Sequence, residues 1–210
     1  MLEIMNLEKK YKQKTILSNI SLKLNNTGIV FFLGQNGAGK TTFFNCIMGF
    51  EDYSGKIVKP TNIAAVFDES HVYSNLNAHD NIALLVRRDL TQTEQALVSK
   101  YIDDSVLKRK VKSYSLGQKK ILSILIAIFT KPQMLILDEV SNGLDYETAK
   151  KVKQLLTSCK REMLILVCGH QFDFYNQIID EVFVIHDAEL IRVDINEFTD
   201  LENVYENYVG

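Results

Sequence analysis

Cysteine is scarce in this 210-residue sequence, and the few cysteines are far apart. The three that occur, Cys46, Cys159 and Cys168, are odd in number and show no C-x-x-C spacing. This pattern argues against a disulfide framework and against the usual cysteine-based zinc sites. We therefore expect reduced thiols in a cytosolic protein.

A strong excess of either charge is also lacking. The sequence has 24 Lys and Arg against 26 Asp and Glu, a formal net charge of −2, and no long basic run. Proteins that bind nucleic acids usually carry a basic patch, because they must neutralise phosphates. We expect no nucleic acid as the main partner.

No apolar run is long enough to cross a bilayer. The most apolar stretch, residues 121–129, contains Ser123 and is far shorter than the roughly 20 residues that a spanning helix needs. Residues 1–6 have neither the basic flank nor the apolar segment of a signal peptide. We expect a cytoplasmic chain, and if it serves a membrane process, another subunit supplies the membrane part.

The hydrophobic pattern predicts one α/β domain over residues 1–210, with a mainly parallel sheet. Two alternating segments, 2–11 and 15–24, predict an antiparallel β region at the N-terminus. Helical periodicity predicts a small helical subdomain at about 74–130, inserted in the core. Continuous apolar runs on either side of a helical segment predict a parallel β-α-β unit; the segments are 134–137, 147–159 and 163–167.

Local signals predict several element ends. Thr91 and Ser115 are candidate helix N-caps, the latter for a helix over 116–129. Segments 181–185 and 189–193 predict a hairpin. The tail, 194–210, has five acidic residues and no Lys or Arg, and we interpret it as a solvated terminal helix or turn.

Residues 34–41 read GQNGAGKT and fill every fixed position of the phosphate-binding pattern G-x-x-x-x-G-K-[ST]. They follow the apolar run 29–33 and precede a segment without Gly or Pro that can form a helix, as this motif requires. Glycines let successive N–H groups point at phosphates, Lys40 reaches the β and γ phosphates, and Thr41 can ligate Mg²⁺. The residues that we predict to bind ATP here are Gly34, Asn36, Gly37, Ala38, Gly39, Lys40, Thr41 and Thr42.

Two carboxylates, Asp138 and Glu139, end the buried run 134–137. They therefore lie at the carboxyl end of the sheet, where open α/β folds bind ligands. Asp138 suits Mg²⁺, and Glu139 is a candidate general base that orients or deprotonates the attacking water.

Further motifs follow in a defined order: YSLGQKK at 114–120, SNGLD at 141–145, and His170 after the run 163–167. With Tyr11 near the N-terminus, this order resembles the ATP-binding cassette ATPases, the nucleotide-binding subunits of ABC transporters, over nearly the whole chain. The segment 114–120 is similar to the family signature L-S-G-G-Q followed by basic residues. Residues 141–145 are similar to the D-loop, and Tyr11 lies where an aromatic residue stacks on adenine.

The resemblance implies a mechanism. Two cassettes, as a homodimer or a heterodimer, would pair head to tail around ATP and Mg²⁺ and drive a separate integral membrane permease, which would hold the chain at the inner face of the cell membrane. Ser115, Gly117 and Gln118 of one cassette would bind the ATP of the other. His170 would bind the γ-phosphate and help position the water, with Lys40 and Glu139 as the other catalytic residues.

The sequence departs from the family pattern at two positions. Asp68, with Glu69 beside it, stands where the family has a glutamine, and a carboxylate there can ligate Mg²⁺. Leu116 replaces the first glycine of the signature pair, so the cap over ATP is expected to close less tightly. The compact cassette resembles small bacterial exporter cassettes for peptides, drugs or ions.

Two alternatives stay open. One is a soluble ABC ATPase without a transporter, acting in translation, DNA maintenance or cofactor assembly. Two features argue against the best-known proteins of this kind. Translation factors carry two cassettes in one chain, whereas this chain carries one, and chromosome-maintenance relatives insert a long coiled coil for which the stretch between Asp68 and Ser115 has no room. The other is a binding module that closes on ATP but hardly hydrolyses it, a reading that Asp68 and Leu116 favour and Glu139 and His170 oppose.

Overall fold

A computed structural model describes residues 1–68, 72–194 and 200–209. The strands in these ranges are β1 (Leu2–Tyr11), β2 (Lys14–Leu24), β3 (Gly28–Leu33), β4 (Ser54–Val58), β5 (Ile63–Val66), β6 (Met134–Asp138), β7 (Leu164–Cys168), β8 (Glu181–His186) and β9 (Glu189–Arg192). The helices are α1 (Lys40–Met48), α2 (Ala78–Val86), α3 (Gln92–Tyr101), α4 (Asp104–Leu107), α5 (Leu116–Phe129), α6 (Tyr146–Cys159), α7 (Phe172–Tyr175) and α8 (Leu201–Tyr208), with a 3₁₀ turn at Val111–Ser113.

The large sheet has the strand order β5-β6-β7-β3-β8-β9. Its neighbours pair in parallel from β5 to β8, and only β9 runs antiparallel, as the second arm of the predicted hairpin. Helices connect the parallel strands, because parallel neighbours need crossovers. The predicted α/β fold class with a mainly parallel sheet is confirmed.

The N-terminal strands form a separate sheet of order β2-β1-β4. Both pairings are antiparallel, as predicted for the N-terminal region. The third strand, β4, was not predicted, because four of its five residues are exposed and Gly55 interrupts it. Its place in the sheet depends on pairing with β1, which local sequence does not encode.

The core lies on both faces of the large sheet. Strands β6 and β7 are buried at every position, which explains their continuous apolar runs. Along β3, Phe31 packs into one apolar cluster and Phe32 into the other, because successive side chains of a strand point to opposite faces. Both faces are thus covered, and the carboxyl ends of the strands carry the polar residues.

The helices α2 to α5 form the segment predicted as a helical subdomain, and their ends match local signals. Thr91 caps α3 and Ser115 caps α5, each through a capping box. The Arg88 guanidinium, just after α2, donates to Glu94 of α3 and to the carbonyl oxygen of Phe129 at the end of α5. One cation thus joins three helices.

The tail forms a terminal helix as predicted, but contrary to expectation this helix is not fully solvated. Its described part, α8, buries Leu201, Val204 and the following Val209, and the rings of Tyr205 and Phe172 lie 5.6 Å apart. The acidic residues of this segment alternate with apolar residues at helical spacing, and these apolar residues form the buried side of α8. The rest of the predicted tail, 195–199 and 210, lies outside the described residues.

No helix in the described ranges combines the length and the apolar character needed to cross a membrane.

Candidate nucleotide site

The phosphate loop connects β3 to α1 at the carboxyl edge of the large sheet. A Cβ atom on Gly34 would lie 2.6 Å from the carbonyl oxygen of Ile185, so a side chain there would collide with β8. Gly39 has a φ of 108° and caps α1 without a side-chain hydrogen bond. The first N–H groups of α1 therefore carry no side-chain cap and are available to an anion.

Lys40 is buried at the start of α1. Its ammonium donates to the carbonyl oxygens of Gly34 at 2.7 Å and of Gln35 at 3.1 Å. These bonds fold the side chain back along the loop, so the charge lies at the loop itself. Asn36, Gly37 and Thr41 are exposed on the same surface, Ala38 and Thr42 are half-buried, and Gly39 is buried.

Asp138 ends β6 and is held from two sides. Its Oδ2 accepts from the Thr41 hydroxyl at 3.0 Å, and its Oδ1 accepts from the Cys168 thiol at 2.7 Å. Asp138 and Cys168 are register partners on β6 and β7. Burial and the neighbouring Asp138 raise the pKa of Cys168 well above its ordinary value, so the sulfur stays protonated and acts as a donor.

Glu139 and His170 lie together beyond Asp138. The His170 Nε2 is 3.3 Å from the Glu139 Oε1 and 2.8 Å from the Asn36 Oδ1. The Glu139 Oε2 is buried without a hydrogen-bond partner among the described residues. The loops after β3, β6 and β7 thus bring an amide, a carboxylate and an imidazole to one place, where one buried carboxylate oxygen lacks a hydrogen-bond partner among the described residues.

The signature segment lies at the N-terminus of α5. The Ser115 side chain accepts from the Gln118 N–H, and the Gln118 side chain accepts in return from the Ser115 N–H. Ser115 is exposed. A Cβ on the buried Gly117 would lie 2.7 Å from Thr148 Cγ2, so α5 and α6 approach closely there.

Leu116, the departure from the signature, is 48% exposed. Its Cδ2 would be 2.7 Å from a Cβ on Gly143, so the absence of a side chain at Gly143 makes room for it. The next capping residue, Asp145, accepts from the N–H and the hydroxyl of Thr148, and these bonds lower the pKa of Asp145. Signature and D-loop segments are therefore in contact within one chain.

Asp68 follows β5, and its Oδ1 accepts from the Lys120 ammonium at 2.9 Å. Among the described residues, the group that could hold a metal ion is formed by Asp138, Glu139 and Cys168. Asp68 is not a member of it, and its metal role stays a prediction. Glu69 lies outside the described residues.

Tyr11 ends β1 and is 43% exposed. The Lys9 ammonium lies 4.7 Å from the centre of its ring. A hydrogen bond to Glu51 raises the pKa of the Tyr11 phenol, and Thr42 on α1 opposes this shift. The ring thus lies close to the phosphate loop, with part of its surface open.

Sequence reasoning missed three contacts in this region. From sequence, Lys120 is one of the basic residues after the signature, although it interrupts the apolar side of α5. Sequence predicts Cys168 only to be a reduced thiol and gives no sign of its hydrogen bond to Asp138. The Gln35 side chain donates to the carbonyl oxygen of Val209 at 3.0 Å, which joins the phosphate loop to the residue after α8.

The family model for ABC transporters matches residues 17–142. The chain belongs to the ABC transporter family. It is the ATP-binding and ATP-hydrolysing subunit of an ABC transporter. The match ends before β7, so His170 and α8 lie outside it.

Among its relatives is the lantibiotic transport ATP-binding protein SrtF of Streptococcus pyogenes, 30% identical over 100% of this chain and 97% of the relative. The bacitracin transport ATP-binding protein BcrA of Enterococcus faecalis is 30% identical over 93% of this chain and 70% of the relative. The fold matches the dimeric post-hydrolysis structure of the ATP-binding cassette MJ0796 bound to ADP and Pi, with a TM-score of 0.78, 20% identity, and coverage of 92% of this chain and 99% of that one.

Proposed function

We propose that two cassettes, identical or different, close head to tail around ATP and that hydrolysis in this dimer drives a separate membrane permease. The observation that carries the proposal is the position of the signature segment. Ser115 is exposed at the N-terminus of α5, and among the described residues no hydrogen bond joins 114–118 to the phosphate loop. A helix N-terminus attracts anions, so a second chain's ATP is the fitting ligand.

Each predicted residue then has a role. Lys40 and the N–H groups of the loop bind the phosphates, and Tyr11 packs against the adenine. Glu139 accepts a proton from the attacking water, and His170 orients that water and the γ-phosphate. The 3.3 Å contact between Glu139 and His170 supports this pairing. Ser115, Gly117 and Gln118 cap the ATP of the partner.

Thr41 at the start of α1 and Asp138 at the end of β6 fit Mg²⁺. Thr41 and Asp138 present hard oxygens 3.0 Å apart, and such oxygens are the donors that Mg²⁺ prefers. When bound, the ion neutralises phosphate charge. The Cys168 thiol donates a hydrogen bond to Asp138 and thereby holds the carboxylate without serving as a ligand.

We propose that the transported compound is a peptide antibiotic and that the transporter exports it. Support comes from SrtF and BcrA, whose names assign them to lantibiotic and bacitracin transport. The chain would lie on the cytoplasmic face of the membrane through its permease.

Sedimentation tests the dimer. Glu139→Gln should be monomeric without nucleotide and dimeric with ATP, because binding persists while hydrolysis stops. Lys40→Ala is the matched control and should stay monomeric in both conditions. A dimer of Glu139→Gln that is indifferent to ATP would contradict the proposal.

Antibody capture from detergent-solubilised membranes tests the permease. An integral membrane protein in stoichiometric amount is the expected companion. Capture of the chain without such a protein would contradict the transport role and favour an ABC ATPase that works without a permease. Cells that express chain and permease should tolerate more lantibiotic or bacitracin, and Glu139→Gln should remove that tolerance.

A further inference from the structure

Lys120 is a buried cation in the middle of the site that the mechanism above does not use. Its side chain is 1% exposed. The ammonium donates to Asp68 Oδ1 at 2.9 Å, to the carbonyl oxygen of Asn142 at 2.8 Å and to that of Glu139 at 3.2 Å. All three of its N–H donors therefore have acceptors, which is the condition under which a buried charge is tolerated.

The acceptors belong to three different segments of the chain. Asp68 follows β5, while Glu139 and Asn142 are the two ends of a turn after β6. Lys120 itself is on α5, five residues after Ser115. One side chain thus connects the signature helix, the loop after β5 and the turn that carries the proposed general base.

The turn at 139–142 needs such support. Glu139 has a φ of 57°, a left-handed conformation that residues other than glycine rarely adopt. Its N–H donates to the carbonyl oxygen of Cys168, and its own carbonyl oxygen accepts from the Asn142 N–H, both at 3.2 Å. Lys120 adds a charged donor to the carbonyl oxygens at both ends of this turn.

We propose that Lys120 is a positioning residue for ATP hydrolysis: its ammonium holds the 139–142 turn so that the Glu139 carboxylate faces His170, and Asp68 keeps the ammonium in place. This inference rests on the proposed role of Glu139 as general base. Lys120 has no hydrogen bond to the phosphate loop among the described residues, so it should act on turnover and not on ATP affinity.

Steady-state kinetics of Lys120→Met test the proposal. We expect kcat to fall by about 10- to 100-fold, a part of the roughly 10²- to 10⁴-fold that a positioned general base contributes, while the Kd for ATP stays within about twofold. Arg88→Met is the matched control, because Arg88 is another cation that binds α5, partly buried and at the far end of the helix. It should lower thermal stability and leave kcat unchanged. A Lys120→Met enzyme with wild-type kcat overturns the inference.

A double-mutant cycle separates positioning from general damage. If Lys120 acts through Glu139, then Lys120→Met should reduce the residual turnover of Glu139→Gln by less than about twofold. A full loss in that background overturns the inference. If instead Glu139→Gln alone turns over like wild type, the proposed function fails first, so the two failures are distinguishable.

Asp68 variants keep the question testable should Lys120→Met fail to fold. Asp68 is 61% exposed, so its replacement removes little packing from the core, and the Lys120 ammonium keeps its two carbonyl acceptors. Asp68→Ala should lower kcat by about 3- to 10-fold, and Asp68→Asn, which keeps an acceptor oxygen, should lower it less. The Mg²⁺ concentration for half-maximal activity should stay unchanged in both. A raised Mg²⁺ requirement, with activity restored by excess Mg²⁺, would make Asp68 a metal-site residue and would overturn the inference. An unchanged kcat would overturn it as well.

Discussion

The His170 Nε2 lies 3.3 Å from the Glu139 Oε1, although 31 positions separate the two residues in the chain. Each follows the carboxyl end of a neighbouring parallel strand, Glu139 after β6 and His170 two residues after β7. Parallel pairing therefore places at one edge of the sheet two groups that can share a water molecule.

Glu139→Gln should lower ATP turnover by about two orders of magnitude or more, because the amide cannot accept the proton of the attacking water. ATP should still bind, because the phosphate loop is unchanged. Phosphate release and calorimetry measure the two properties. Glu147→Gln, at an exposed position on α6, is the control, and wild-type turnover in Glu139→Gln would remove Glu139 from the mechanism.

Lys40→Ala should weaken ATP binding by about 10- to 100-fold or more, since a hydrogen bond to a charged group contributes about 1.5–3 kcal/mol. Isothermal calorimetry gives the affinity. Lys23→Ala, on β2 with an exposed ammonium, should bind ATP as wild type does. Equal affinity in Lys40→Ala would contradict the assignment of the loop.

Glu94 should make folding stability depend on pH. The Arg88 guanidinium lowers the pKa of Glu94 from 4.5 to about 2, so the carboxylate stabilises the fold above pH 4.5, and this contribution is lost as the pH falls towards 2. Glu94→Gln should lower the free energy of unfolding by about 1–2 kcal/mol at pH 7. The gap between the two proteins should close in acid.

Urea titrations at pH 7 and at pH 3 measure that gap. Glu8→Gln is the control, because Glu8 is exposed on β1. A gap of the same size at both values of pH would show that the charge of Glu94 is not what stabilises the three-helix junction.

The cysteines should react slowly with thiol reagents in the folded protein. All three are buried, and burial raises the pKa of each, so little thiolate is present at neutral pH. Ellman's reagent should therefore titrate them fully only after denaturation. Fast reaction of one thiol in the native protein would contradict the buried environments.

Cys168 should also affect catalysis through its hydrogen bond to Asp138. Cys168→Ser keeps a donor and should stay within about threefold of wild-type kcat, whereas Cys168→Val loses the donor and should fall further, because a lost hydrogen bond of about 1 kcal/mol corresponds to about fivefold. Cys46→Val controls for loss of a buried thiol elsewhere. Equal activity of the two Cys168 variants would show that the thiol does not support Asp138.

Local sequence predicted the elements that local chemistry defines. The helix over Leu116–Phe129 has the predicted bounds. Its start could be predicted because Ser115 and Gln118 form a capping box, a signal contained within four consecutive residues. Strands β6 and β7 match within one residue at each end, because strands buried on both faces read as continuous apolar runs.

Contacts between distant segments could not be predicted in the same way. Asp68 and Lys120 are 52 positions apart, and Asn36 and His170 are 134 apart. Both pairs form only after the sheet has placed their loops together. Similarly, β4 depends on β1 for its pairing. The apolar side of α8 is buried only because α7 packs against it.

The bond between Gln35 and the Val209 carbonyl has a practical consequence for experiments. A purification tag fused after Val209 would lie beside the phosphate loop and could disturb the packing of α8 on α7. Met1, by contrast, is 48% exposed and immediately precedes β1 of the small sheet. Tags for the measurements described above belong at the amino terminus, where they leave both the loop and α8 undisturbed.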